Sequence, residues 1–160
     1  MEKKLDVLID FLKKNRAEFV LEEHEPIRTA EEASRVRNID IRHGVKALVA
    51  KIEYAGRSDF VLVLISGDRK MDPKKLCTVL KAKRAYMAGP DEVKERTGCE
   101  VGSVHPFGHL FGLAIFMDKE IEKRDFVSFS AGTHVHSVRM NTADFVRLVN
   151  PRIEDISKEK

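Results

Sequence analysis

The strongest constraint on the fold is a pair of apolar segments separated by a short turn. Residues 48–54 alternate in polarity, with Leu48, Ala50, Ile52 and Tyr54 on one face. The turn sequence AGRSD follows, and FVLVLI then forms a nearly continuous apolar run. An alternating strand beside a wholly apolar one predicts a β-hairpin whose second strand is buried on both faces. A chain with this hairpin folds around a sheet.

Helix signals lie on both sides of the hairpin. The apolar spacing of residues 5–12 predicts a first helix that ends at about Asn15. Thr29 and Glu32 form a capping-box pattern, which predicts a short helix from about Ala30 to Val36. The segments DPKKLCTVLKAK and GPDEVKERTG each carry a proline near the start, as helices often do. NTADFVRLV predicts a closing amphipathic helix.

Three later segments read as strands: LFGLAIFMD, DFVSFSAG and HVHSVRM. Helices and strands are interspersed, but hairpin-like pairs dominate. We therefore expect an α+β fold with a mixed, mostly antiparallel, barrel-like sheet and surrounding helices. A chain of 160 residues favours a single domain over residues 1–160.

Composition restricts the class of protein. No apolar run approaches the roughly 20 residues that span a bilayer, and charges interrupt the apolar positions of the amino terminus as they do not in a signal peptide. We expect a cytoplasmic protein with no membrane partner. Two cysteines are too few for a disulfide framework or a structural zinc site. The net charge of +3 permits an anionic partner without requiring one.

The stretch EVGSVHPFGHLFG, residues 100–112, holds three glycines and a proline directly before an apolar run. Glycine loses more backbone entropy on folding than any other residue, so such a segment predicts a turn whose bare backbone approaches something closely. Lys46 precedes the first strand of the hairpin. A lysine at that point can reach inward to an anion, or it can be an ordinary solvated loop residue.

The sequence lacks the motifs of a nucleophilic hydrolase or a nucleotide-binding loop. His105 and His109 are separated by a proline and a glycine, so they cannot occupy successive turns of one helix. His134 and His136, at strand spacing, could share a metal with a distant carboxylate, but polar or substrate-facing histidines are the favoured interpretation. We therefore expect no metal and no cofactor.

Four segments in order, HEPIRTAEEA, GVKALV, GSVHPFG and FSAGTHVHSVRMNTADF, resemble the YbaK family of prolyl-tRNA editing domains. The resemblance runs from about His24 to Leu148. It implies a deacylase that hydrolyses amino acids mistakenly attached to tRNA, chiefly tRNA for proline. Its partner would be the acceptor end of an aminoacyl-tRNA, and it could associate with an aminoacyl-tRNA synthetase.

The resemblance also implies a site. Lys46 matches the lysine that holds the substrate's terminal adenosine, and Gly102 opens the family's G-x-x-x-P-x-G turn, whose backbone amides approach the scissile carbonyl. These two residues are the expected catalytic residues. The expected substrate-binding residues are Ser103, Val104, His105, Gly132, His134 and His136, with His136 favoured over His134 as the substrate-facing histidine.

The resemblance leaves the substrate open. Bacterial cysteinyl-tRNA deacylases of the family carry a basic-glycine segment where this chain has THVHS. That departure weakens cysteine as the rejected amino acid and leaves alanine, so tRNA for proline carrying alanine or cysteine is the expectation. The same residues would also suit a non-catalytic module that binds a nucleotide or tRNA end. A histidine-dependent metallohydrolase is a third alternative, and it alone predicts inhibition by a chelator.

Overall fold

The computed structural model describes residues 3–160, which form an α+β domain. Its helices are α1 (Lys3–Lys14), α2 (Ala30–Arg37), α3 (Pro73–Leu80), α4 (Pro90–Thr97) and α5 (Thr142–Val149). Its strands are β1 (Phe19–Glu23), β2 (Val45–Tyr54), β3 (Arg57–Ser66), β4 (Arg69–Met71), β5 (Arg84–Met87), β6 (Ala114–Asp118), β7 (Phe126–Ser130), β8 (His136–Asn141), β9 (Arg152–Glu154) and β10 (Ser157–Glu159). Short 3-10 helices cover Ile41–His43, Gly108–Phe111 and Lys119–Lys123.

The strands form three sheets. The large sheet has the order β5-β2-β3-β6-β9, the small sheet has the order β1-β8-β7, and β10 pairs with β4. The pairs β3–β6 and β6–β9 are parallel and the others are antiparallel, so the expected mixed, mostly antiparallel arrangement is confirmed. A single parallel bridge between Gly44 and Ser128 joins the large sheet to the small one. Over residues 3–160 the strands close no barrel.

The predicted hairpin is confirmed, and β3 is buried on both faces. Leu62 and Leu64 pack into one apolar cluster together with α1, α5 and the small sheet. Val63 and Ile65 point the other way, into a second cluster that includes Leu76 of α3. Because side chains alternate along a strand, one central strand can serve two cores. The continuous apolar run FVLVLI is the consequence.

The predicted helix ends are largely confirmed. The side chain of Thr29 accepts a hydrogen bond from the Glu32 amide at 3.1 Å, and the Glu32 carboxylate accepts one from the Arg28 amide at 3.0 Å. Asp72 caps α3, Gly98 ends α4 in the left-handed conformation, and Asn141 caps α5. The sequence did not indicate β1, β4, β5, β9 or β10. Among residues 3–160, no helix combines the length and the apolar character that a bilayer crossing demands.

Candidate active site

A cleft of about 350 Å³ opens along the outer edge of β2. β5 pairs with β2 only over Ala50–Glu53, so the first half of β2 borders the cleft instead of another strand. Helix α2 and the residues that lead into it form the opposite wall, and the turn at Gly102 and the small sheet complete the lining. We call this cavity the β2 cleft. Of the site residues predicted from the sequence, Lys46, Gly102 and Val104 line it.

Lys46, the second residue of β2, lines the β2 cleft. Its Nζ donates a hydrogen bond to the backbone carbonyl of Arg69. Burial lowers the pKa of the Lys46 ammonium and the charge of Lys160 lowers it further, whereas Glu31 and Asp68 act in the opposite direction. An ammonium has three N–H donors, so one bond to a carbonyl leaves others for a ligand. Lys46 is therefore placed to meet an anion or a polarised oxygen.

The turn at Gly102 also lines the cleft, and only glycine suits its position. Gly102 has φ of +88°, and a Cβ added there would lie 2.5 Å from the carbonyl oxygen of Arg28. Ser130 Oγ donates a hydrogen bond of 3.1 Å to the Gly102 carbonyl, which fixes the turn against the small sheet. Within residues 3–160, the backbone N–H groups of Gly102 and Val104 donate to no acceptor. The turn thus offers donors that its own fold does not use.

The other residues of the turn differ in their placement. Val104 lines the cleft, whereas the side chains of Ser103 and His105 are buried and are absent from its lining. His105 is 1% exposed; its Nδ1 accepts a hydrogen bond from the Phe107 amide at 3.2 Å, and its ring stacks on Phe111. Burial, aided by the charge of Lys4, lowers the pKa of His105 to about 3. His105 is therefore a neutral ring that holds the turn.

The residues chosen from the later glycine segment lie outside the lining of the β2 cleft. Gly132 has φ of +93° and packs against Lys4 and Leu5 of α1. His134 Nδ1 lies 3.1 Å from the carbonyl oxygen of Ile27. His136 Nδ1 lies 2.8 Å from Thr133 Oγ1, and its Nε2 is 3.5 Å from Glu23. A contact of Gly132, His134 or His136 with substrate stays a prediction.

Several polar residues of the lining were not found from the sequence, among them Arg37, Ser128, Ser130 and Ser137. Arg37, at the end of α2, has a side chain only 3% exposed, and it pairs with Glu22 at 2.7 Å and with the Ser128 hydroxyl. The three serines come from β7 and β8. No motif or spacing marks them, because only the strand pairing and the packing of α2 bring them together. We call Ser128, Ser130 and Ser137 the serine floor.

No group of three or more histidine, cysteine, aspartate or glutamate side chains within residues 3–160 is arranged to hold a metal ion. Cys99 is buried, and Cys77, half-buried on α3, has its thiol pKa raised by burial. The charged groups that line the β2 cleft are the Lys46 ammonium, the guanidiniums of Arg28 and Arg37, and the carboxylates of Glu31 and Asp40.

Comparison with known proteins gives a consistent picture. The profile of the aminoacyl-tRNA editing domain matches residues 24–148. A multifunctional Ser/Thr-tRNA deacylase, ProXp-y, of Escherichia coli K12 is 33% identical over 147 residues, which are 91% of this chain and 88% of that protein. A proline–tRNA ligase of Caldicellulosiruptor saccharolyticus is 34% identical over 120 residues, 74% of this chain but only 20% of the ligase. A solved structure, described as a proposed trans-editing enzyme for prolyl tRNA synthetase, has a TM-score of 0.81 at 24% identity and covers 99% of both chains.

Proposed function

The chain belongs to the aminoacyl-tRNA editing domain family, and on that premise we propose that it is a deacylase that hydrolyses the ester of mischarged tRNA. The observation that carries the proposal is the β2 cleft, which is lined by Lys46 and by Gly102 and Val104, two residues whose backbone N–H groups are unused within residues 3–160. We assign the family's activity to residues 1–160 as one editing domain.

The ester chemistry fits this lining. An aminoacyl ester is already activated, so its hydrolysis needs no covalent nucleophile. The site must orient a water molecule and stabilise the negative charge that develops on the carbonyl oxygen. The N–H groups of Gly102 and Val104 are suitable donors to that oxygen, because they are fixed before substrate arrives. A hydroxyl of the substrate ribose would help to position the water.

Lys46 supplies a positive charge to the site. We place its ammonium on the terminal adenosine and on the oxygens next to the ester, where it orients the substrate. Partial burial strengthens such an interaction, because the surrounding dielectric is lower than that of bulk water. The expected binding roles of Ser103, Val104, His105, Gly132, His134 and His136 remain part of the proposal, with Val104 supported by its place in the lining.

The substrate is a tRNA that carries a small, wrong amino acid. The family likeness suggested tRNA for proline carrying alanine or cysteine, and the relative from E. coli is named for seryl and threonyl substrates. Editing suits such cases, because a missing methylene is worth only about 1–3 kcal/mol of discrimination in a synthetase pocket. The related segments within proline–tRNA ligases support an association with a synthetase.

A deacylation panel tests the proposal. tRNA for proline, charged separately with serine, threonine, alanine, cysteine and proline, is incubated with the protein and with Lys46→Ala. We expect rapid release of a non-proline amino acid, and a fall in kcat/KM of about 10²-fold or more in the variant. Lys51→Ala is the matched control, since Lys51 lies on the same strand but pairs with Glu92 at 3.2 Å outside the cleft.

The outcomes separate the alternatives. Release that Lys46→Ala leaves unchanged would contradict the assigned site while the reaction stands. Binding of charged tRNA without release of any amino acid would instead identify a non-catalytic module. Activity that disappears with a chelator and returns with added metal would identify a metallohydrolase.

A further inference from the structure

We propose that the serine floor is a subsite that recognises a hydroxyl group on the amino acid to be removed, so that the protein prefers seryl and threonyl esters to alanyl esters. The inference rests on the proposed deacylase function and assigns residues to its selectivity. It rests on the hydrogen bonds that the three serine hydroxyls already make: two of them donate their proton within the protein, and the third only accepts.

The serines lie on one face of the small sheet. Ser130 and Ser137 are directly opposite each other on β7 and β8, and Ser128 is two residues before Ser130, so it points to the same side. All three line the β2 cleft. The opposite face of the same strands carries Phe129 and Val138, which are buried in the core. The position of the hydroxyls is thus set by the sheet rather than by a mobile loop.

Two of the serines present lone pairs to the cleft. Ser130 gives its proton to the Gly102 carbonyl at 3.1 Å. His24 Nδ1 lies 2.7 Å from the carbonyl oxygen of Glu25 and must carry the proton there, because a carbonyl can only accept. Its Nε2 is then an acceptor for Ser137 Oγ, 2.8 Å away. With their protons used inside the protein, the Ser130 and Ser137 oxygens remain as acceptors.

Ser128 has the opposite polarity. Its oxygen accepts from the Arg37 guanidinium, which has donors only. Glu22 holds that guanidinium in place, and the Arg37 side chain is 3% exposed. The Ser128 proton is therefore free to point into the cleft. The floor combines one donor, Ser128, with the acceptors Ser130 and Ser137.

A single hydroxyl on a ligand complements this set, because it accepts from Ser128 and donates to Ser130 or Ser137. The floor is also close to the expected ester position, since Ser130 contacts the carbonyl of Gly102, whose turn offers the donors for the ester oxygen. The first atoms beyond the ester carbonyl therefore lie beside the serines. Serine and threonine supply a hydroxyl there. Alanine supplies none, and the thiol of cysteine is a weak donor.

The test compares seryl-tRNA and alanyl-tRNA as substrates of the protein, of Ser128→Ala and of Ser130→Ala. A neutral hydrogen bond contributes about 0.5–1.5 kcal/mol, so each substitution should lower the ratio of seryl to alanyl kcat/KM by about 2- to 13-fold. Ser157→Ala is the matched control: Ser157 is fully buried and accepts a hydrogen bond from Arg69 at 2.7 Å, but it does not line the cleft. It should leave the ratio unchanged.

A binding measurement makes the test independent of turnover. Adenosines that carry serine or alanine through a non-hydrolysable 3′-amide are titrated calorimetrically. The protein should bind the seryl compound more tightly, and Ser128→Ala should reduce the difference. Hydrolysis of both esters with a ratio that no floor variant changes would overturn the serine-floor assignment and leave the deacylase function intact. Absence of hydrolysis of every ester would overturn the function and the assignment with it.

Discussion

Burial lowers the pKa of two side chains near the cleft, and the consequence differs between them. It lowers the pKa of both Lys46 and His105. Lys46 keeps access to the cleft, so the interaction that its charge lost with water can be regained with a substrate. His105 has no such access, because its ring is enclosed by the turn and by Phe111. Partial burial therefore prepares Lys46 to bind a substrate, whereas complete burial makes His105 part of the packing of the turn.

His105 should make stability depend on pH. Its pKa is about 3 in the folded protein and about 6.5 in the unfolded chain, so the unfolded chain binds more protons between these values. The stabilisation is complete above pH 6.5 and is lost as the pH falls toward 3, by at most ~1.4 kcal/mol per pH unit. Urea unfolding at several pH values should show a shallower decline for His105→Asn, whose side-chain oxygen can still accept the Phe107 amide. Parallel declines in the two proteins would contradict the enclosed neutral ring.

Sequence patterns found only some of the residues that line the cleft. Lys46 and Gly102 are visible because each stands next to a strong local signal, a strand start and a glycine-rich turn. Arg37 and Ser128 carry no such signal, since their contact joins residues 91 positions apart in the chain. The sequence around a serine in a strand does not show whether its side chain faces solvent, the core or a ligand. Its role becomes visible only after the register of β7 and β8 is known.

At the scale of elements, the accuracy of sequence interpretation follows the range of the interactions. The β2–β3 hairpin and the capped helices depend on contacts between neighbours in the chain, and the sequence indicated them well. The missed strands are three to five residues long, and each pairs with a strand that is distant in sequence. β1, for example, pairs with β8 near the other end of the chain. Short strands of this kind have too few residues to show the alternation of apolar and polar residues that identifies a strand.

The turn at Gly102 allows a comparison with a second glycine of the same conformation. Gly112 has φ of +73°, and a Cβ there would meet nothing within 4 Å, whereas at Gly102 it would lie 2.5 Å from the Arg28 oxygen. Gly112→Ala should lose about 1–2 kcal/mol of unfolding free energy through the left-handed backbone alone. Gly102→Ala should lose more and should also lose deacylation, because the turn must move away from Arg28. Equal losses in urea unfolding, with activity retained in both, would show that the close approach does not matter.

At the scale of the whole molecule, the segment after α5 completes the domain. The editing-domain profile ends at residue 148, but β9 adds a strand to the large sheet and β10 pairs with β4. Ile156 is fully buried in the second core cluster, and its amide donates to the buried carboxylate of Asp118 at 2.9 Å. This segment therefore covers the face of the large sheet that α3 leaves open.

Removal of that segment should destabilise the protein strongly. A chain that ends at Asn150 loses the Ile156 side chain and leaves Asp118 Oδ1 without the Ile156 amide, so we expect a loss of at least ~3 kcal/mol in unfolding free energy. A chain that ends at Glu159 keeps both and should stay within about 0.5 kcal/mol of the full chain. Thermal and urea unfolding of the two shortened chains would measure this. Similar stability of both would show that the domain is complete without β9 and β10.

The pairing of β1 with β8 also determines when the cleft can exist. About 110 residues separate the two strands, and β8 carries Ser137 of the serine floor. On a ribosome that adds 5–20 residues per second, β1 would wait roughly 5 to 20 seconds for its partner. The β2–β3 hairpin, by contrast, can form as soon as it emerges. A nascent chain would thus hold a folded hairpin well before it holds a complete cleft, because the cleft cannot form until β8 has been synthesised.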